Sequence, residues 1–594
     1  MPLGATLAAK ILLMNRKMRR AQQGTVRRAG ALQRPDADPG LLHAFLDEGW
    51  RALDAGRDPE AMDLAARVIR MAETAETKTF FVNCAARWSY FPGAETMHDV
   101  IVRALREPWA EPADLAGVVR GLLNRDSVIG PAVVRAMQAW PRRLPLNELL
   151  GANGLAAIST HPLLLALIET SKIVGIDLER FLTALRAGLL DEASRDPKRI
   201  DESALRLCCA LARQCVANEY VFDISPEEQD HVARLREQAE SALQTRGRIA
   251  PAALAMLGAY MPLERFAAEA LRGRPLPQPL TTLLEEVARE ADAMRRHRKS
   301  LPQLTSIADA TSRAVAEQYE QNPYPRWSRL PSLSSPTAPD WLVPHLPPPG
   351  NGAPDILIAG CGTGHHSILF AQAFPAAPIL AVDLSLSSLA YAKEKSRAMG
   401  LTRIAYAQAD ILELGATGQR FDIISSSGVL HHLADPAKGW RVLLSLLKPD
   451  GIMHVGLYSA LARRNIAKAR EFVTARGHRS SADDIRRARQ QLAIAATSDP
   501  AFADVVRYPD FYATSECRDL LFHAQECDFT IPQIQSFLNE NSLQFLGFLK
   551  PDALAAFRQR FAGQDTAELA LWHQFETENP DTFKGMYEFW IKRR

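Results

Sequence analysis

The stretch "DILIAGCGTGHHSILFAQAFPAAPILAVDLS", Asp355 to Ser385, decides how the chain folds. The apolar run after Asp355 reads as a short buried strand. It breaks into a loop in which Gly360, Gly362 and Gly364 alternate with other residues, a helical pattern resumes, and a second apolar run ends in Asp383. Glycines without a Cβ adopt left-handed backbone and let a ligand approach the main chain. An acid closing the second strand, about 20 residues after the loop, can accept from both hydroxyls of a ribose. A dinucleotide fits only in part. The spacing is G-x-G-x-G, and Ser367 stands where the dinucleotide fingerprint prefers a third Gly or Ala. A ligand without a pyrophosphate is the better expectation.

Downstream of this stretch, strands are expected at Asp355–Ala359, Ile379–Val382, Ile404–Ala407, Phe421–Ser425 and Ile452–Leu457, with helical patterns between most of them. That alternation predicts an α/β fold: a doubly wound parallel sheet with its ligand beyond the C-terminal strand ends. Residues 459–528 read as a largely helical insert, basic in its first half. Phe529 to Lys550 reads as a capped helix followed by a strand, and the terminal "GMYEFWIKRR" as an aromatic helix or tail packed back on the domain.

Upstream, residues 36–305 carry helical periodicity almost throughout and predict an all-α, repeat-like domain. In "IDLERFLTALRAGLL", Asp177 is placed to cap a helix whose Leu178, Phe181, Leu182, Leu185 and Leu189 form one apolar stripe. "GWRALDAGRDPEAMDLAARVIRMA", Gly49 to Ala72, resembles one helix-turn-helix unit of a tetratricopeptide repeat, with a break near Gly56 and a restart at Asp58 and Pro59. No clean period of about 34 residues follows it. "MRRHRKS", Met294 to Ser300, reads as a solvated helix end. Residues 306–350 read as an aromatic and Pro-rich linker and lid, and Arg329 to Pro354 is too rich in Pro and Ser to continue a helix. The first 35 residues contain no acid and read as a basic disordered tail with Met14 as a second start. Their charge follows the short apolar stretch, the reverse of a secretory leader.

Composition sets the class. With 594 residues, 47% hydrophobic, 23% charged and a formal net charge of +2, the chain is an ordinary globular protein of several domains. No apolar run reaches the roughly 18 residues of a membrane span. Seven irregularly placed cysteines form neither a disulfide framework nor a zinc ribbon, so no metal and a cytoplasmic location are expected. The small net charge and the lack of a basic face interleaved with aromatics disfavour nucleic acid.

"DILIAGCGTG", "LAVDLS", "AQADIL", "FDIISSSGVLHHLADP" and "LLKPDGIMHVGLYS" resemble, in order and spacing, the successive motifs of class I S-adenosylmethionine-dependent methyltransferases. The resemblance covers roughly Pro354 to Tyr458 and implies a Rossmann-like sheet with S-adenosylmethionine as cofactor. It implies contacts from Gly360, Cys361, Gly362 and Gly364 to the methionine moiety and a ribose at Asp383, followed by Leu384. Asp410 and Ile411 would flank the adenine, and the segment from Ser427 to Leu430 would pass beneath the sulfonium. Cys361 reads as a small residue packed in the loop and not as a nucleophile. The helical half joined through "AEQYEQNPYPRW", Ala316 to Trp327, is similar to bacterial repeat-containing methyltransferases.

Methyl transfer needs alignment first, and a base only when the acceptor must lose a proton. Tyr319 and Tyr324, in a stiff aromatic segment before the first strand, are candidates for a lid. His431 and His432 follow the fourth strand, and a similar "LHHL" occurs in quinone methyltransferases. His523 is placed one helical turn from Asp519, which could orient it and raise its basicity, on a helix capped by Ser515; a simple surface pair is the competing reading. The catalytic candidates are therefore Tyr319, Tyr324, His432 and His523. "NPYP" at Asn322 to Pro325 precedes the first strand, so it is not the "NPPY" tetrad of nucleic-acid enzymes. A helical array favours a protein or peptide acceptor. A quinone-like metabolite is the alternative, and a non-catalytic, cofactor-sensing scaffold is a third reading.

Overall fold

The computed structural model describes residues 32–33, 39–151, 154–245, 249–264, 266, 270, 275–325, 327, 329–330, 342–346 and 352–594. The basic tail expected over 1–35, except a two-residue ladder pairing Leu32 with Glu73, and most of the Pro-rich linker lie outside them.

Between Pro39 and Ser300 the described residues are mainly helical. Helices α1 (Pro39–Asp54) and α2 (Asp58–Met71) are separated by Gly56 in left-handed conformation (φ 71°), as the Gly-Arg-Asp-Pro break requires. Helix α3 (Ile176–Arg195) buries Leu178, Phe181, Leu182, Leu185 and Leu189. Its N-cap is Gly175 and not Asp177. The Asp177 carboxylate is drawn away by Arg120 Nε (2.9 Å) and Asn124 Nδ2 (3.0 Å). The long helix α4 (Gln278–Ser300) ends in "MRRHRKS", and this end is not simply solvated: His297 Nε2 lies 2.8 Å from Glu394 and Arg298 donates to Ser387 (3.1 Å), docking it on the sheet domain. Helix α5 (Ala310–Gln321), capped by Asp309, follows.

Among the described residues seven strands form one sheet: β1 (Ile356–Ala359), β2 (Ile379–Asp383), β3 (Ile404–Gln408), β4 (Phe421–Ser427), β5 (Leu447–Leu457), β6 (Leu543–Phe548) and β7 (Tyr587–Arg593), in the order β3-β2-β1-β4-β5-β7-β6. The first five are parallel and β7 is antiparallel to both neighbours. Helix α6 (His365–Ala373) follows β1 and α7 (Leu386–Ala398) follows β2. The terminal residues, expected as a helix or tail, are thus an interior strand. Tyr587, Phe589 and Ile591 enter the core on one face and Trp590 the core on the other. Glu588 and Lys592 alternate with these apolar residues, but Trp590 interrupts the polar set and blurs the pattern by which a half-exposed strand is recognised.

The insert also departs from a simple appendage of the sheet. Its helices, including α8 (Ala482–Ala495) and α9 (Thr514–Phe522), place Ile466, Ile485, Leu492 and Leu520 in one apolar core with Phe181, Leu182 and Phe222 of the helical region. A buried ion pair crosses the same interface: Arg489 (0% exposed) donates to Glu179 Oε1 (3.1 Å) and to the Val221 carbonyl (3.1 Å).

Candidate active site

The strand order reverses between β1 and β4, where doubly wound sheets hold their ligands. The loop after β1 is built from left-handed glycines, Gly360 (φ 78°), Gly362 (51°) and Gly364 (89°). A Cβ on Gly362 would lie 2.8 Å from the Tyr324 carbonyl oxygen, and one on Gly364 2.6 Å from Ala392 Cβ in α7. Gly360 and Gly362 border a cavity of about 460 Å³. Gly364, expected against a cofactor, instead allows the loop to close on α7 and does not border the cavity.

On the sheet side that cavity is walled by Gly360 to Gly362, Asp383 and Leu384 at the end of β2, Asp410 and Ile411 after β3, and Ser427 at the end of β4. Asp383 accepts from Gly362 N (2.8 Å) through Oδ2 and from Ser385 N (2.9 Å) through Oδ1, which leaves lone pairs on both oxygens. Burial raises its pKa against the pull of these N–H groups. Asp410 (1% exposed) caps Leu412 N at 3.0 Å through Oδ1, while its Oδ2 has no partner among the described residues. A buried acceptor without a partner is costly unless a ligand supplies a donor. An adenine amine at Asp410 and ribose hydroxyls at Asp383 satisfy both acids, so the residues present fit S-adenosylmethionine.

The opposite wall comes from three other parts of the chain. Tyr319 and Tyr324 stack with ring centroids 6.1 Å apart, and the Thr363 hydroxyl donates to the Pro325 carbonyl, so this segment lies across the glycine loop. The Tyr319 hydroxyl donates to Asp519 Oδ1 (2.6 Å) and the Tyr324 hydroxyl to Asp510 Oδ1 (3.3 Å). Burial keeps both phenols protonated. The helical region contributes Glu111 and Lys172, and the insert Asp510 and Glu516. Lys172 pairs with Glu516 and donates to the Pro509 carbonyl (3.1 Å), and burial pushes its pKa down to about 8.

The histidines divide by tautomer. His432 borders the cavity, and its Nδ1 lies 2.9 Å from the Gln525 carbonyl, so Nδ1 carries the proton and Nε2 keeps a lone pair. Burial holds its pKa well below the ordinary value. His523 is the reverse. Gln525 N donates to its Nδ1 (3.1 Å), which places the proton on Nε2, 3.2 Å from the Tyr319 oxygen. Its expected activation by Asp519 does not occur: the carboxylate is 3.7 Å away and accepts from the Tyr319 hydroxyl instead, and desolvation outweighs it and lowers the His523 pKa. His523 has no free lone pair for an acceptor and does not border the cavity. The side chains of this pair are buried, not at the surface, and Ser515 does not cap α9, whose N-cap is Ala513. His432, Asp519 and His523 bring donor atoms within 4.8 Å of one another, but the imidazoles stack at 3.7 Å and 20°, so their ring planes do not meet within bonding reach of both, where a shared cation would sit. His431 is packing, stacked at 3.9 Å on Tyr458.

Sequence reasoning missed Glu111, Lys172 and Asp510. Lys172 carried a faint signal as a lone cation in the otherwise apolar "SKIVG", and Asp510 as an acid between aromatics in "YPDFY".

Residues 355–491 match a family model described as a methyltransferase domain. Over 122 residues the chain is 34% identical to a trans-aconitate 2-methyltransferase of Deinococcus radiodurans, covering 20% of this chain and 45% of that one. It is 32% identical over 103 residues to a ubiquinone biosynthesis O-methyltransferase of Haemophilus ducreyi, covering 16% and 42%. A longer match, 29% over 309 residues, joins it to an uncharacterized protein of Synechococcus and covers 48% of this chain and 73% of that protein. The chain thus spans less than half of either named methyltransferase. The solved structure of PKMT2 from Rickettsia typhi is similar at 20% identity and a TM-score of 0.36, covering 43% of this chain and 52% of that one. Fold, glycine loop and family match together define a class I methyltransferase domain, preceded by an extensive helical region. Its cofactor is S-adenosylmethionine. No helix among the described residues is long and apolar enough to cross a membrane.

Proposed function

We propose that the whole chain transfers a methyl group from S-adenosylmethionine to a small-molecule acceptor enclosed between the sheet domain, the helical region and the insert. The observation that carries this reading is that Glu111 and Lys172 of the helical region border the same cavity as Gly360, Asp383 and Asp410. A helical array used only as a docking surface would have no reason to wall the cofactor site. At about 460 Å³ the cavity lies within the size range of small-ligand sites. The names of the trans-aconitate and ubiquinone-pathway relatives agree with a metabolite acceptor.

In this reading the cofactor supplies an electrophilic methyl group on a sulfonium. Asp383 takes the ribose hydroxyls and Asp410 Oδ2 the adenine amine. Tyr319 and Tyr324 cover the glycine loop and exclude water, which strengthens every polar contact inside. His432 presents the lone pair of Nε2 to a proton leaving the acceptor. The test is transfer of labelled methyl to a fractionated lysate. Label in the small-molecule fraction is expected. Label confined to precipitable protein refutes the small acceptor, and cofactor binding without any transfer points to the sensing scaffold.

A further inference from the structure

We propose that Asp510 selects the acceptor, and that the acceptor meets it with an N–H or O–H donor and without negative charge. The inference rests on the shared chamber proposed above. Asp510 lies in the insert at the turn Pro509–Tyr512, is 9% exposed and borders the cavity. Its one hydrogen-bond donor from a side chain among the described residues is the Tyr324 hydroxyl, at 3.3 Å, and no cation there comes within 4.0 Å of it. A carboxylate so placed has lost most of its hydration and holds in return one long side-chain hydrogen bond, a local backbone one and the more distant charge of Lys172, a costly state unless a ligand adds a donor.

Of the three Lys and Arg side chains bordering the cavity among the described residues, two are already committed. Lys172 is held by Glu516 and the Pro509 carbonyl. Arg120 is held by Asp177 at 2.9 Å. Arg507 stands exposed at the rim, where water screens it. Glu111 adds further negative charge to the same wall, while Glu516 is balanced by Lys172. An acceptor carboxylate would therefore meet Asp510 as a like charge with no free cation beside it. An amine, ammonium or hydroxyl would supply the donor that Asp510 lacks, and burial also raises the Asp510 pKa, the direction a neighbouring cationic ligand would reverse.

The experiment loads the full chain with S-adenosylhomocysteine and measures binding of benzylamine, catechol and benzoate by calorimetry. Benzylamine or catechol is expected to bind at least about tenfold more tightly than benzoate, as the gain or loss of one charge-assisted hydrogen bond implies. D510N, which must still bind S-adenosylhomocysteine like the wild type, is expected to weaken the favoured probe about tenfold or more and to narrow its advantage over benzoate. Y324F keeps the carboxylate and is expected to keep the order. Benzoate binding as tightly as the others, no measurable binding of either donor probe, or a panel unmoved by D510N overturns the inference. If D510N does not fold, the wild-type order alone decides. Failure of S-adenosylhomocysteine itself to bind would instead overturn the chamber reading.

Discussion

Replacing Asp383 tests the cofactor site most directly, because its carboxylate has two tasks. Each oxygen already accepts from one backbone N–H, Gly362 N at 2.8 Å and Ser385 N at 2.9 Å, and each retains a lone pair toward the cavity. Asp383→Ala removes the acceptors for two ribose hydroxyls and leaves two loop N–H groups unpaired. One hydrogen bond to a charged group contributes about 1.5 to 3 kcal/mol, and each 1.4 kcal/mol is about a factor of ten, so cofactor affinity should fall at least about tenfold to a hundredfold. Asp383→Asn is no milder control: its NH2 must face one of the two backbone N–H groups, donor against donor, and a loss of about tenfold or more is expected. The pH dependence follows from burial, which raises the Asp383 pKa. Binding needs the ionised carboxylate, so affinity is full above that raised pKa and falls as the pH drops through it, earlier than for an ordinary aspartate at about 3.9. Calorimetry with S-adenosylhomocysteine on folded variants measures both effects. Wild-type affinity in Asp383→Ala, or an acid limb that survives the substitution unchanged, would refute the assignment.

Two further substitutions probe the frame around the site. Gly362→Ala puts a Cβ into left-handed backbone 2.8 Å from the Tyr324 carbonyl, so it should destabilise by about 1 to 3 kcal/mol and displace the aromatic segment, weakening cofactor binding; an unchanged denaturation midpoint and affinity would count against the close approach. Glu179→Ala leaves the Arg489 guanidinium buried without its counter-charge and should cost about 3 to 5 kcal/mol, read from urea unfolding, and a wild-type midpoint would mean that the pair does not join insert and helical region.

The strands from Asp355 to Leu457 were legible because each is an apolar run bounded by turn residues, and the structure shifts their ends by a residue or two, except at Leu447, where β5 begins five residues earlier than expected. The cofactor side was legible for the same reason: glycines and acids at strand ends sit a fixed few residues from the apolar runs. The aromatic segment was also readable, since two tyrosines and two prolines so close together are unusual in a plain linker, and both rings border the cavity. The tautomers of His432 and His523 were not readable, because both are set by the main chain of one residue, Gln525, far from His432 in sequence. The last strand was hidden because Trp590 interrupts the alternation of Glu588 and Lys592 with apolar residues, and the Asp177 cap was lost to a tertiary competitor, Arg120, 57 residues away.

The acceptor wall was illegible for a different reason, and that reason bears on how the protein acquires its specificity. The residues proposed to hold the cofactor come from one continuous stretch, so local pattern carries them. The facing wall pairs Lys172 with Glu516 across 344 residues and Tyr324 with Asp510 across 186. Those distances close only because the insert packs into the helical core and is fixed there by the pair of Glu179 and Arg489, itself 310 residues apart. A buried ion pair adds little net stability over an apolar contact, but it admits few alternative packings, since any slip leaves a charge unpaired in the core. Its position behind Phe511, next to Asp510 in the chain, means that the orientation of the insert sets where the Asp510 carboxylate points. On the proposed reading, acceptor choice is governed by helix packing between the helical region and the insert, and substitutions at that interface should change which acceptor is methylated before they change cofactor affinity.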